Sequence, residues 1–123
     1  MTDLTEVKTA DLASEALNWS VAMAMGLNPS VVSAQYGVPT RVFILQEGMF
    51  PVRYKPSADW LMGGPLIDRL QAEILRSGPV VYAKLHGLTD AAGAGESTLI
   101  AACRAIVTAR LGETVQVPKE LLP

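Results

Sequence analysis

The apolar positions in the first third of the chain recur with a helical period. No Gly or Pro interrupts residues 10–25. The positions at spacings of three and four are Leu12, Ala16, Trp19 and Met23. Such spacing gives a helix one broad apolar face. Thr9 is a favourable N-cap and Gly26 a favourable residue just beyond the last turn. We therefore predict a helix over residues 10–25.

The pattern changes after Pro29. Residues 29–35 are compatible with one or two helical turns begun by that proline. Residues 42–45 form an apolar run rich in β formers, and after a turn at Glu47 and Gly48 residues 49–54 are expected to form the returning strand. We predict a hairpin, with Pro51 at an edge because proline has no N–H to donate.

The second half alternates apolar and polar positions in two periods. Residues 65–75 have an amphipathic pattern, which predicts a helix with Pro65 at its first position. Residues 80–86 predict a strand, and residues 87–95 a loop of small residues. A last helix is expected from a Ser97 cap to Leu111, followed by a short strand at residues 115–117.

This order of elements indicates the fold class. Helix, two strands, helix, strand and helix do not alternate regularly, so a parallel sheet built from βαβ units is disfavoured. We predict an α+β fold in which a small antiparallel sheet of about three strands packs with three main helices. At 123 residues the chain is expected to form a single domain, residues 1–123.

Composition narrows the function classes. Half of the residues are apolar, the formal charge is −2, and the ten Lys and Arg residues are scattered. Nucleic-acid binding by charge is therefore disfavoured. One cysteine, Cys103, and one histidine, His86, fall short of a usual zinc ligand set, so we predict no metal and no cofactor. The chain carries no apolar stretch long enough to span a bilayer, and we expect a cytoplasmic protein with no membrane partner.

Residues 54–67 concentrate the residue types that build binding sites. Gly63 and Gly64 precede Pro65, and a helix beginning there would offer free N–H groups to an anion such as phosphate or carboxylate. Trp60 or Tyr54 would stack on an attached ring. The competing interpretation is that the glycines only shape the turn into the helix, and that the two aromatic residues belong to the core or its rim.

The polar residues of this segment also have two interpretations. Asp59 is a candidate for contacting a ligand hydroxyl or amine, and Ser57 lies beside it. Both residue types also form hydrogen bonds to nearby backbone in turns, which we favour. Ser97 and Thr98 follow a glycine-containing stretch without the lysine of a phosphate-binding loop, so Ser97 is expected to act mainly as a helix cap that faces the same cavity if the helix starts converge. The candidate ligand-binding residues are Tyr54, Ser57, Asp59, Trp60, Gly63, Gly64, Ser97 and Thr98.

No set of residues predicts a reaction. His86 is an acid–base candidate only if it approaches Asp59. Cys103 lies on an apolar stripe, where a thiol behaves as a small hydrophobic group. Arg104 should leave the core, either into solvent or towards a ligand or partner. No catalytic residue is predicted, and an enzymatic activity is uncertain but disfavoured.

Four segments resemble the NinX-like proteins of phages and prophages, one of them the tail at residues 112–118. Residues 17–26 resemble the family pattern Leu-Asp-x-x-Val-Ala-x-Ala-x-Gly, with Asn18 where the family often has aspartate. Residues 56–67 are similar to Pro-Ser-x-Asp-Trp-x-x-Gly-Gly-Pro-Ile-Ile, and residues 95–104 to Gly-Pro-Thr-Pro-Leu-Ile-Ala-Ala-Met-Arg, with Thr98 in place of the second proline. The resemblance implies a small phage accessory protein without an established activity.

Three functions follow as alternatives. The one we favour is a noncatalytic module that binds a small anionic or aromatic ligand, or a host protein, through residues 56–67. The second is a small enzyme acting on a nucleotide-like substrate through His86 and Asp59. The third is a structural homo-oligomer with Trp19, Met49 and Phe50 at its interface.

Overall fold

A computed structural model describes residues 3–45, 50–86 and 91–122. The described residues form three α-helices, namely α1 (Ser14–Ala24), α2 (Trp60–Arg69) and α3 (Thr98–Leu111). They also form eight strands, β1 (Leu4–Lys8), β2 (Ser30–Val32), β3 (Arg41–Leu45), β4 (Pro51–Arg53), β5 (Glu73–Ser77), β6 (Val80–Leu85), β7 (Ala91–Gly95) and β8 (Thr114–Pro118). Short 3₁₀ turns occupy Thr9–Asp11 and Lys119–Leu121.

The strands form three small antiparallel sheets. Their orders are β1-β8, β2-β3-β4 and β5-β6-β7. The α+β class with three helices is confirmed, but the expected single sheet of about three strands is only partly right. The difference arises because residues 4–8, 30–32, 73–77 and 91–95 form strands that the sequence pattern did not predict.

Helix α3 lies between two apolar clusters. Cys103 and Val107 belong to a cluster shared with α1 and β3, whereas Ala101 and Ile106 belong to one shared with β6. The predicted helix from the Ser97 cap to Leu111 is confirmed, since the Ser97 hydroxyl accepts a hydrogen bond from the Ile100 N–H at 3.2 Å. The short strand predicted at residues 115–117 is also confirmed, as β8.

The beginning of α1 differs from the prediction. The helix starts at Ser14, and Thr9 is not its cap. Instead the Thr9 hydroxyl donates to the Gly112 carbonyl at 2.7 Å and its N–H donates to the Glu113 carbonyl at 2.8 Å. The first strand, β1, thereby joins β8, with Leu4 opposite Pro118 and Lys8 opposite Thr114. β1 and β8 are short strands whose paired residues lie more than 100 positions apart, so no local sequence signal predicts their pairing.

The end of α1 confirms the prediction. Gly26 has φ +72°, its N–H bonds to the Met23 carbonyl, and the Leu27 N–H bonds to the Ala22 carbonyl at 2.9 Å. These two bonds define a Schellman motif, in which a glycine accepts the left-handed conformation without strain.

The expected helical turns at residues 29–35 were wrong. β2 pairs with β3, and the connection closes through reciprocal bonds between Gln35 and Val38, each 2.9 Å. Tyr36 and Gly37 both have positive φ, as a type I′ turn requires. Tyrosine is an unusual residue at positive φ, which explains why the sequence pattern did not predict this hairpin.

The β3–β4 hairpin is confirmed. Leu45 lies opposite Pro51, and β4 forms the edge of its sheet as the proline predicts. The expected turn at Glu47 and Gly48 falls outside the described residues.

Residues 65–75 are not one helix. α2 ends at Arg69, where Gln71 takes φ +52° and the Ala72 N–H bonds to the Ile67 carbonyl. The chain then enters β5, which pairs with β6 across the turn at Gly78. The predicted strand at residues 80–86 is confirmed as β6, whereas part of the predicted loop, residues 91–95, forms β7.

Small residues let β7 lie directly against α3. A Cβ added at Gly93 would overlap the Ala101 carbonyl oxygen and the Ala105 nitrogen, and one at Gly95 would lie 2.6 Å from Ile100 Cγ2. The glycines therefore set the distance between strand and helix. No described helix has both the length and the apolar character needed to cross a membrane.

Candidate functional site

The segment at residues 54–67 begins with a turn and continues as α2. The helix starts at Trp60, and the Asp59 carboxylate accepts a hydrogen bond from the Leu61 N–H at 2.9 Å. Asp59 is thus the N-cap, which agrees with the structural role favoured for it. The predicted start at Pro65 was wrong, because the cap lies six residues earlier and Pro65 falls inside the helix.

This start changes the environment of the two glycines. The Gly63 N–H donates to the Asp59 carbonyl at 2.8 Å, as in any helical turn. Gly63 is buried, and a Cβ there would overlap the Pro56 carbonyl oxygen and lie 2.6 Å from Leu99 Cδ2. Gly64 would place a Cβ only 3.4 Å from Trp60 Cε3, an ordinary contact. Gly63 therefore allows α2 to approach its neighbours, and ligand contact by either glycine stays a prediction.

A buried polar network fixes the turn before α2. Asn18 of α1 is 1% exposed, and its Oδ1 accepts from the Ser57 N–H at 3.1 Å and from the Ser57 hydroxyl at 2.7 Å. Its Nδ2 donates to Glu15 at 3.0 Å, and Glu15 in turn accepts from Arg53 and from the Val42 N–H. Ser57 thus binds protein rather than solvent. Sequence reasoning missed Asn18, Glu15 and Arg53, although a polar residue on the apolar face of α1 was a usable signal.

Tyr54 lies in the core. It is 5% exposed, and its N–H donates to the Val42 carbonyl at 2.9 Å. Burial, with a smaller contribution from Cys103, raises the pKa of Tyr54 to about 12. Burial also raises the pKa of Cys103 to about 12, so its thiol is protonated near neutral pH and is a poor nucleophile.

Two large apolar side chains of the segment are exposed to solvent. Trp60 is 59% exposed and Leu61 is 87% exposed, both in the first turn of α2. The Asp59 cap fixes the backbone that carries them, and the Asn18–Ser57 bonds fix the turn before it. The segment therefore presents an exposed aromatic–aliphatic pair on an ordered support.

The other candidate residues occupy the start of α3. Ser97 is partly buried and serves as the cap, and Thr98 is the first helical residue. The two helices meet near Leu99, whose side chain packs at Gly63. The structure thus brings α3 next to α2, while Tyr54 and Ser57 point into protein contacts.

A groove lies elsewhere in the structure. It has a volume of about 880 Å³ and opens between β7, the start of β8 and the end of β1. None of the eight candidate residues lines it. Arg104 is one of the residues that line it, with Nε donating to the Leu12 carbonyl at 2.9 Å and Nη1 to the Ala94 carbonyl at 2.8 Å. The sequence had placed Arg104 outside the core without indicating a groove.

The described contacts give the enzymatic alternative no support. His86 Nε2 lies 2.9 Å from Glu73 Oε1 on an exposed surface, while Asp59 caps α2. Across residues 3–45, 50–86 and 91–122, no three His, Cys, Asp or Glu side chains are grouped so that they would hold a metal ion.

Comparison with known proteins identifies a family. The family model described as Bacteriophage P22, NinX matches residues 8–110, which include α1, α2, all of α3 except its last residue, and all eight candidate residues. No curated protein matches the chain.

Proposed function

This chain belongs to the NinX family of phage proteins, and from that premise we propose that it is a noncatalytic binding module that docks on a host protein through Trp60 and Leu61. We place it in the cytoplasm of the host cell. The observation that carries the proposal is the exposure of these two side chains, 59% and 87%, in the first turn of a capped helix.

A protein partner suits this surface better than a small ligand. Tyr54 and Ser57 are buried among the protein's own groups, and Gly63 packs on Pro56. The apolar surface left for a partner is that of Trp60 and Leu61, and the buried residues do not form a pocket wall around it. Tryptophan residues dominate the binding energy of many protein interfaces, because a large rigid side chain loses little entropy when it is buried.

The support behind the pair adds to its value as an anchor. An interface side chain on a flexible segment loses conformational freedom on binding, which weakens the complex. Here the Asp59 cap and the Asn18–Ser57 bonds hold the first turn before any partner arrives. The backbone would need little rearrangement.

Quantitative capture from host lysate tests the proposal. We compare wild type with Trp60→Ala and Leu61→Ala, and use Leu75→Ala as the matched control, because Leu75 is 66% exposed on β5. We expect a host protein to be enriched by wild type and the control and to be lost at least about tenfold with Trp60→Ala. Binding of that protein, once purified, should change the Trp60 fluorescence.

Other results would reject the proposal. A protein captured equally by wild type and all three variants would place the contact elsewhere. A small molecule retained in native mass spectrometry and released by Trp60→Ala would establish ligand binding instead. A dimer in sedimentation that Trp60→Ala dissociates would establish a homo-oligomer.

A further inference from the structure

The groove beside β7 has an unpaired strand edge as one wall. β7 pairs with β6 on one side, and no other described strand pairs with it. The groove is lined by Ala92, Gly93 and Ala94 of β7 and also by Glu113 and Thr114. An extended chain lying in the groove would therefore run beside free backbone groups.

The sequence of β7 does not protect this edge. Natural sheets block their edges with lysine, proline, bulges or a covering element, because an open edge pairs with other chains. β7 is Ala-Ala-Gly-Ala-Gly and contains none of these residues. The packing of α3 explains Gly93 and Gly95, but it does not explain Ala92 or Ala94, which alternate to the opposite face.

Backbone geometry indicates which groups are open. The Ala94 carbonyl accepts from Arg104, so it points to the groove side of the strand. In an antiparallel pair, alternate residues direct their N–H and C=O groups to the same edge. Ala92 therefore offers its N–H and C=O to the groove.

Arg104 provides a charge for recognition. Its guanidinium has five N–H donors, of which two bind the Leu12 and Ala94 carbonyls. Within residues 3–45, 50–86 and 91–122, it forms no ion pair with a carboxylate, although Glu96 and Glu113 line the same groove. A half-buried cation held by neutral carbonyls is well placed to bind an anion.

We propose that this groove binds an extended segment of a partner protein, whose backbone adds to β7 at Ala92 and whose acidic side chain pairs with Arg104. Lys8 lines the groove as a second cation, while Glu96 and Glu113 favour a segment that carries a basic residue as well. Strand addition gives affinity through backbone bonds, and the side-chain pairing gives specificity.

Two pools of synthetic hexapeptides test the proposal. Both are blocked at each end and random except at one central position, which is Glu in the first pool and Gln in the second. Immobilised wild type is expected to capture the Glu pool at least about tenfold more than the Gln pool. Captured peptides are counted by mass spectrometry.

Variants of the groove separate its two contributions. Thr108 lines the groove one helical turn from Arg104. The carboxylate introduced by Thr108→Glu would therefore pair with the Arg104 guanidinium in place of a peptide carboxylate, and the bonds of Arg104 to the two carbonyls would stay in place. We expect it to remove the preference for Glu, and Thr108→Gln to retain it. Ala92→Pro removes the open N–H and should reduce capture of both pools, with Ala92→Ser as the control. Circular dichroism confirms that each variant folds.

Each contrary result overturns a stated part. Equal capture of the two pools by wild type refutes the role of Arg104, and undiminished capture by folded Ala92→Pro refutes strand addition. No capture of either pool, or complete release by about 1 mM succinate, overturns the peptide proposal; release would establish a site for small anions. A dimer that Ala92→Pro dissociates would show that a second copy occupies the groove.

Discussion

Alanine substitution should change the free energy of unfolding in opposite directions at the two adjacent glycines of α2. Alanine favours a helix interior over glycine by about 1 kcal/mol, because glycine has more conformational freedom to lose. Both Gly63 and Gly64 lie inside α2 and neither has positive φ. Helix propensity alone therefore predicts the same stabilisation at both positions.

The surroundings reverse the sign at Gly63. Its added Cβ would lie 2.6 Å from Leu99 Cδ2 and still closer to the Pro56 carbonyl oxygen, whereas ordinary contacts begin near 3.4 Å. Leu99 is able to move, but the carbonyl belongs to the backbone next to Ser57, which Asn18 holds. Relief requires α2 to shift by roughly 1 Å, and overpacking of this kind costs about 1–3 kcal/mol, occasionally more.

The expected free energies follow from the two effects. After the gain in helix propensity is subtracted from the overpacking cost, Gly63→Ala should lose about 0.5–2 kcal/mol of unfolding free energy, and Gly64→Ala should gain about 0.5–1 kcal/mol. Urea unfolding followed by circular dichroism measures both, provided that the m-value is unchanged. A Gly63→Ala protein as stable as wild type would refute the close packing of α2 on Pro56. A destabilised Gly64→Ala protein would indicate a constraint that the structure does not contain.

Two further predictions concern the buried groups near the segment. Asn18→Ala should cost about 2–4 kcal/mol of unfolding free energy, because it leaves the Ser57 donors unsatisfied. The control Ser20→Ala removes only a hydroxyl bonded within α1 and should be nearly neutral. Equal costs of the two substitutions in urea unfolding would contradict the network. The raised pKa values of Tyr54 and Cys103 predict alkaline destabilisation. Their stabilising contribution is complete below pH 9, the lower of the ordinary pKa values of 9.0 for Cys103 and 10.0 for Tyr54, and disappears as pH rises towards about 12. Tyr54→Phe combined with Cys103→Ala should flatten this part of the profile of stability against pH. An unchanged profile would refute the assignment of the alkaline destabilisation to these two groups.

Local signals predicted the elements that local chemistry determines. Gly26 ends α1 and Ser97 begins α3 as expected, since each motif is contained within one turn. The start of α2 was misplaced because Pro65 is a typical first helical residue, whereas the helix already begins at Trp60, after the Asp59 cap. Gln71 ended α2 in a conformation that glycine usually occupies, so the boundary carried no signal.

The sequence pattern could not predict contacts between residues that are distant in sequence. Ligand binding by the candidate segment stays a prediction, and the contacts of Tyr54 and Ser57 could not be predicted because they depend on Val42 and Asn18, which are distant in sequence. The groove depends on β7 meeting the β1–β8 pair. A run of small residues resembles a loop until the helix that packs on it is known.

The β1–β8 pair has a consequence for synthesis of the protein. β1 is made well before its partner, which lies more than 100 residues later at Thr114–Pro118. Thr9 likewise waits for the Gly112 and Glu113 carbonyls. Contacts of such large sequence separation form slowly, because a long loop must close first. A nascent chain would therefore leave Val7 and its neighbours uncovered until translation passes β8, and a stop codon shortly before Thr114 would release a chain with that edge still open.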